Sequence, residues 1–273
     1  VGEPATALWT LKDEDTTLHI FGTVHLLKKE TTWRTPAFDA ALAEASVIWT
    51  EADVTSPEAA TVAAQAMIKD GAYVPGQGSL STTLTPEQKA VVEQALANLG
   101  TPFAAIDGLK PWNAALQLAS LDMMKQGYVP GAGVERVIEA EAKAAGKTFR
   151  HFETVSEQIG FFNGLSEADQ IAMLVQGARA MVEEPDALDK LVAQWRAGDV
   201  AGVAEITSTP DALGNEAVYD VLLTQRNARW VPQIEAMLEE PGTQLIAVGA
   251  LHLAGEDSVI KMLRDKGYTV EGP

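Results

Sequence analysis

Two copies of one short pattern stand near opposite ends of the chain. The apolar run from Leu18 to Gly22 closes on Gly22-Thr23-Val24-His25, and the run from Gln244 to Gly249 closes on Gly249-Ala250-Leu251-His252. Each reads as a buried strand that ends in a glycine and then a turn presenting an imidazole. The 273-residue chain holds only four histidines, so two in matching Gly-x-x-His contexts form a pair. Ligands of open α/β sheets bind at the carboxyl ends of the strands. The two turns are therefore expected to face one cleft, which requires the fold to bring the chain's ends together.

The same order surrounds both turns: strand, Gly-x-x-His, helix, strand, over Leu18 to Glu51 and again over Gln244 to Glu271. After His25, Pro36 suits the first position of an Ala-rich helix reaching Ser46, and Val47 to Glu51 reads as the next strand. Such crossovers imply parallel strands and right-handed connections. The pattern predicts an α/β fold with a mixed β-sheet built from two pseudo-repeated β-α-β units, behind an opening hairpin of Leu8 to Leu11 and Thr16 to Gly22. Large helical insertions fall at about residues 55–146 and 155–240. Between them Lys147 to Glu153 reads as a strand, and Asn215 to about Glu239 as one long helix. No low-complexity linker divides the chain, so residues 1–273 are read as a single domain.

A net charge of −18, from 38 acidic and 20 basic residues, argues against a nucleic-acid partner. A duplex carries about one negative charge per 1.7 Å and would be repelled. No apolar run approaches the roughly 18 residues of a membrane-spanning helix. The absence of cysteine excludes disulfides, thiolate zinc sites and cysteine nucleophiles. Together with a start at Val1, as after removal of a signal peptide, it points to a periplasmic or secreted bacterial protein.

His25 and His252 head the candidates for chemistry, since an imidazole serves as metal ligand, general base or charge stabiliser. Glu51 ends the strand after the first His turn, which places its carboxylate at the same sheet edge. Two histidines and a carboxylate are a usual set for a divalent hydrolytic metal. Glu153 closes a third strand and suits a general acid or base; Thr154 and Glu157 after it form a capping-box pattern. On the long helix Val218, Leu222, Trp230 and Ile234 recur at steps of four, and Arg226 falls in that stripe. An Arg on a buried face needs an anionic partner, so Arg226 is a candidate clamp for Glu51, Glu153 or a substrate anion, with Asn227 beside it. His151 alternates onto the face of Glu153, whereas His19 reads as structural. Trp33 suits either the cleft or the packing of its loop, and Asp53 is a weaker substitute for Glu51. No Gly-x-Ser-x-Gly, His-Glu-x-x-His, P-loop or Gly-x-Gly-x-x-Gly motif is present.

In order, these residues resemble the TraB/GumN proteins, which are similar to the Tiki proteases. The resemblance rests on Phe21-Gly22-Thr23-Val24-His25 with Trp33 downstream and on Thr50-Glu51-Ala52-Asp53. It continues in Gly133-Val134-Glu135, where the family usually has Gly-Val-Asp, and in Phe152-Glu153-Thr154 with Gln158. Arg226-Asn227 and Val248-Gly249-Ala250-Leu251-His252-Leu253 complete it. It implies a Tiki/erythromycin-esterase/ChaN-like fold with the cleft at the two His turns. By likeness to the Tiki proteins, His25, Glu51 and His252 would hold manganese or cobalt, with zinc as a third candidate. The substrate would be a peptide or a small molecule, with Glu153 and Arg226 assisting. The erythromycin-esterase relatives imply instead metal-free hydrolysis with His25 as general base, oriented by Glu51. The ChaN-like relatives imply a non-catalytic metal- or haem-binding envelope protein.

Overall fold

The computed structural model describes residues 2–273; the start at Val1, on which the expectation of export partly rests, lies outside them. Six strands are present: β1 (Leu8–Lys12), β2 (Thr16–Thr23), β3 (Val47–Thr50), β4 (Thr148–His151), β5 (Gly242–Gly249) and β6 (Val270–Glu271). They form one sheet in the order β4-β3-β5-β2-β1-β6. The pairs β2–β5, β3–β5 and β3–β4 are parallel, while β1 is antiparallel to both β2 and β6. The opening hairpin turns where Asp13 Oδ1 accepts the amides of Asp15 and Thr16 at 3.1 and 2.9 Å, a side-chain substitute for a backbone turn.

The helices follow the pattern expected of two units with insertions. α1 (Pro36–Glu44) crosses from β2 to β3. Between β3 and β4 lie α2 (Pro57–Asp70), α3 (Leu80–Thr83), α4 (Pro86–Asn98), α5 (Pro111–Lys125) and α6 (Val134–Ala144). Between β4 and β5 lie α7 (Val155–Asn163), α8 (Glu167–Glu183), α9 (Ala187–Ala197), α10 (Val200–Thr207), α11 (Pro210–Leu213), α12 (Glu216–Tyr219) and α13 (Gln225–Met237). α14 (Val259–Asp265) crosses from β5 to β6. Among the described residues no helix is long and apolar enough to cross a membrane.

Alternation along the strands sorts the core into two faces. Phe21, Leu245 and Ala247 pack with Phe38 and Leu42 of α1 and with Val134, Ile138 and Ala142 of α6. Leu18, Ile20, Ile246 and Val248 pack on the other face with Trp230 and Ile234 of α13 and with Val259, Ile260 and Leu263 of α14. Each such Val, Leu, Ile or Phe side chain contributes about 1.5–3 kcal/mol by leaving water. The two crossover helices therefore lie on opposite faces. From adjacent strands, β2 leaves toward β3 and β5 leaves toward β6. The chain separates between β2 and β5, and that reversal opens a crevice at the carboxyl ends of those strands. Both His turns lie there.

Two local expectations change. The stretch read as one helix from Asn215 is broken by a π-helical turn over Asp220–Thr224 between α12 and α13. The periodic apolar stripe survives it, so the spacing of apolar residues alone does not reveal it. The strand read to Glu153 stops at His151, although Phe152 and Glu153 still donate their amides to Thr50 and Glu51 carbonyls at 3.1 and 2.8 Å. Trp33 is packed among Phe21, Phe38 and Trp195 and does not line the cleft.

Candidate active site

The two motif glycines have different physical jobs. A Cβ at Gly22 would lie 3.0 Å from the Ala250 Cα, so this glycine lets the two turns pack against each other. A Cβ at Gly249 would lie 3.0 Å from Glu51 Oε2, and the Gly249 amide donates to that oxygen at 2.7 Å. Neither has a positive φ; they are small for the sake of close approach. Trp195 of α9 braces the first turn by donating its indole N–H to the Gly22 carbonyl at 2.9 Å.

Glu51, at the end of β3, is the hub. Its Oε1 accepts from Arg226 Nη2 at 2.8 Å and lies 3.8 Å from His252 Nε2. Arg226 is buried on α13, where the stripe predicted it, and grips Glu153 with two bonds, Nε to Oε2 at 3.0 Å and Nη2 to Oε1 at 2.8 Å. Its remaining nitrogen donates to the Leu222 carbonyl at 3.2 Å. Gln158 of α7 donates to Glu153 Oε1 at 3.2 Å, and the Thr154–Glu157 capping box fixes the start of that helix. Burial works to raise the Glu51 pKa, but the charges of His252, Arg226 and His25, with the Gly249 amide, bring it down to about 2. Because burial pushes His252 down to about 3 against the pull of Glu51, that imidazole is neutral at pH 7. The lasting support for the Glu51 charge is then Arg226, His25 and the amide.

The two histidines of the repeated motif sit in unlike surroundings. His252 is 1% exposed, packs on the Trp230 ring at 4.3 Å and donates Nδ1–H to Asn227 Oδ1 at 2.6 Å. That bond leaves Nε2 as the lone-pair nitrogen, turned toward Glu51. The His25 side chain is 70% exposed at the cleft and pairs through Nδ1 with Glu135 Oε1 at 2.9 Å. Thr23 donates to the same carboxylate oxygen at 2.5 Å. Hydrogen bonding to Glu135, and its charge, raise the His25 pKa to about 9. Gly133 makes this contact feasible. A Cβ there would fall 1.9 Å from the His25 carbonyl oxygen, so only glycine lets the start of α6 reach the turn.

The cleft has a volume of about 400 Å³ and is lined by His25, Glu51, Glu135, Arg226, Phe161 and Phe162 among others. Glu135 stands in the Gly133-Val134-Glu135 motif, but nothing in its local sequence marks it as a site residue. An acid in the first turn of a helix is explained by the helix dipole alone, and its partner lies far away in sequence. His151 instead bonds Thr50 Oγ1 at 2.7 Å, His19 bonds Thr10 Oγ1 at 3.0 Å, and Asp53 caps the amides of Thr55 and Ser56. Among the described residues no three His, Asp or Glu side chains form a preassembled metal cage.

These features define an α/β protein whose cleft lies at the switch point of its sheet: His25, Glu51, Glu135 and Arg226 line it, while His252 and Glu153 are buried behind it and reach it only through Glu51 and Arg226. The chain belongs to the TraB/PrgY/gumN family, whose model matches residues 7–272. It is 24% identical over 246 residues to the "Uncharacterized protein YbaP" of Escherichia coli (strain K12), an alignment covering 90% of this chain and 87% of that protein. The same figures hold for the YbaP protein of Shigella flexneri. No solved structure matches the chain.

Proposed function

We propose that this protein is a metal-dependent hydrolase acting on peptide or related acyl bonds, with His25, Glu51 and His252 as the residues that would hold a divalent ion. The observation that carries this reading is the shared pattern of the two imidazoles. Each commits Nδ1 to an outer partner, Glu135 for His25 and Asn227 for His252, and makes no hydrogen bond through Nε2 among the described residues. Metal-binding histidines characteristically donate their other ring N–H in this way. The charge balance agrees. In the metal-free protein Glu51, Glu135 and Glu153 exceed Arg226 and the protonated His25 by one negative charge, and a bound divalent ion, which would displace the His25 proton, would meet an excess of two. Mixed imidazole and carboxylate donors suit manganese, cobalt or zinc, and the resemblance to the Tiki proteins favours the first two.

A bound divalent ion would polarise the scissile carbonyl and acidify a water molecule. The chain's own residues prepare the site. Arg226 and the Gly249 amide keep Glu51 ionised, and Glu135 holds the exposed His25 ring at the cleft with Nε2 outward. Glu153 is buried behind the cleft, which Glu51 lines, and gives both oxygens to Arg226, so its role is to position that guanidinium rather than to carry a proton. Phe161 and Phe162 offer apolar surface to a substrate side chain. Absence of cysteine remains part of our proposal that the protein is exported.

A second reading, metal-free hydrolysis with His25 as base and Glu135 as its orienting acid, draws on the Nδ1–Oε1 pairing of these two residues at 2.9 Å. Titration calorimetry on chelator-treated protein, followed by a fluorogenic peptide assay with and without manganese or cobalt, separates the two. One ion bound per chain, lost in His252→Ala, with activity restored by metal, is the expected result. Absence of ion binding, with hydrolysis that ignores chelation yet vanishes in His25→Ala, overturns the metal reading in favour of the second.

A further inference from the structure

One side of the sheet ends in β4, and its outer edge is unpaired. Thr148 and Phe152 donate their amides inward to the Ser46 and Thr50 carbonyls, both at 3.1 Å. Hydrogen-bonding direction alternates along a strand paired on one side, so the N–H and C=O groups of Phe149 and His151 point away from β3. None of these four groups makes a hydrogen bond among the described residues, and every residue of β4 is exposed or half-exposed. Beside this edge runs a groove of about 650 Å³, walled by Phe149 and His151 on the strand and by Arg136, Glu139 and Lys143 on α6. Thr55, Arg136 and Glu139 also line the cleft that holds His25 and Glu51, so the two recesses adjoin.

We propose that β4 is a docking strand for an extended acidic peptide, which adds to the sheet through Phe149 and His151 and is led by the groove into the cleft. Free backbone donors and acceptors at alternate residues are matched by another extended backbone, the basis of strand-addition recognition. The sign of the peptide's charge follows from α6. The groove carries Arg136, Lys143 and Lys147 against Glu139 and Asp53, a net positive patch in a chain of net charge −18. Among the described residues neither Arg136 nor Lys143 has a carboxylate within ion-pair distance, which leaves them to meet carboxylates of a peptide. A second copy of this chain is a poorer occupant, because β4 has only four residues, with Arg150 inside it and Lys147 before it. Short, charged edges discourage self-pairing. Naming the peptide a substrate rests on the hydrolase reading; the docking itself does not.

Amide hydrogen exchange on the full chain carrying Glu51→Gln, with dephosphorylated β-casein as an unfolded acidic probe, tests the proposal. Casein should slow exchange at Phe149 and His151 by about tenfold or more. Phe149→Pro removes an outward N–H and no ladder bond; it should weaken casein binding about tenfold, as should Arg136→Glu combined with Lys143→Glu. Absence of casein binding, or binding that leaves both amides unprotected, overturns the proposal. Protection that rises with protein concentration alone, together with a dimer in ultracentrifugation, also overturns it. If the two amides are protected while the unsubstituted protein leaves casein intact, the hydrolase reading fails and the docking strand stands.

Discussion

Replacing Arg226 with Met tests whether the buried guanidinium holds the site together. The substitution keeps apolar length but removes four hydrogen bonds, two to Glu153, one to Glu51 and one to the Leu222 carbonyl. The side chains of Glu51 and Glu153 are 17% and 3% exposed, so water cannot replace the lost partner. Removing one member of a buried ion pair costs about 3–5 kcal/mol, a large share of the roughly 5–15 kcal/mol that stabilises a domain. The loss should depend on pH. In the unsubstituted protein Glu51 is depressed from 4.5 to about 2, so its contribution is present above 4.5 and disappears as pH falls through 2. In the variant, burial acts with less opposition and raises that carboxyl, so the variant regains stability as pH falls and the proton is taken up. The stability gap should therefore be widest near pH 7 and narrow toward pH 4. Urea unfolding followed by tryptophan fluorescence measures it. Adding Glu153→Gln to the variant should recover part of the loss, because an unpaired buried charge is removed. A gap below about 1 kcal/mol at pH 7, or one equally wide at pH 4, would refute the reasoning.

Glu135→Gln should lower the His25 pKa in metal-free protein from about 9 toward 6.5, read by NMR titration of the ring. The His25–Glu135 pair adds stability below 6.5 and loses it as pH rises through 9, so the variant should show a flatter stability decline across that window. Gly133→Ala drives a methyl group into the His25 carbonyl. It should cost about 1–3 kcal/mol or more and separate His25 from Glu135, seen as a lower Tm and a His25 pKa moved toward 6.5. Asn227→Ala removes the acceptor on His252 Nδ1 and should weaken manganese binding about 10–100-fold by calorimetry.

The sheet's central strands were legible because β2 and β5 each hold a mostly apolar run that closes on a glycine, Gly22 and Gly249, a pattern that few other local structures produce. Arg226 was legible for a similar reason: in a stripe of four apolar residues, Val218, Leu222, Trp230 and Ile234, the one charged member needs a buried partner. The identity of that partner was not, since Glu51 and Glu153 are brought to it by separate strands and the bidentate grip is a property of tertiary packing. Glu135 was hidden by an adequate local explanation, and the steric need for Gly133 appears only when α6 meets the His25 turn. The π-turn at Asp220–Thr224 adds a residue to a helical turn without disturbing its polarity pattern. α10 escaped notice because its sequence, Val200 to Thr207, is short and mostly apolar, which periodicity alone cannot assign.

The repeated motif also shows how one sequence pattern yields two kinds of histidine. Both turns place an imidazole three residues after a glycine at the carboxyl end of a parallel strand, although the first runs on as irregular backbone and the second coils into a 3-10 turn over Ala250–Leu253. The helices that cover them also differ. α13 lies over the second turn, buries His252 against Trp230 and offers it the neutral acceptor Asn227. α6 meets the first turn at its own N-terminus and brings the carboxylate of Glu135, while the ring stays open to the cleft. Burial without a charged acceptor keeps one ring neutral; exposure beside a carboxylate keeps the other protonated near neutrality. Glu51 lies within the influence of both, tied by Arg226 to α13 and by Gly249 to β5. Exchanging the outer partners, with Asn227→Asp and Glu135→Gln, should therefore raise the His252 pKa and lower that of His25. Two-dimensional NMR titration reads both rings at once, and an unchanged order of the two pKa values would show that position in the motif, rather than the covering helix, sets their charge.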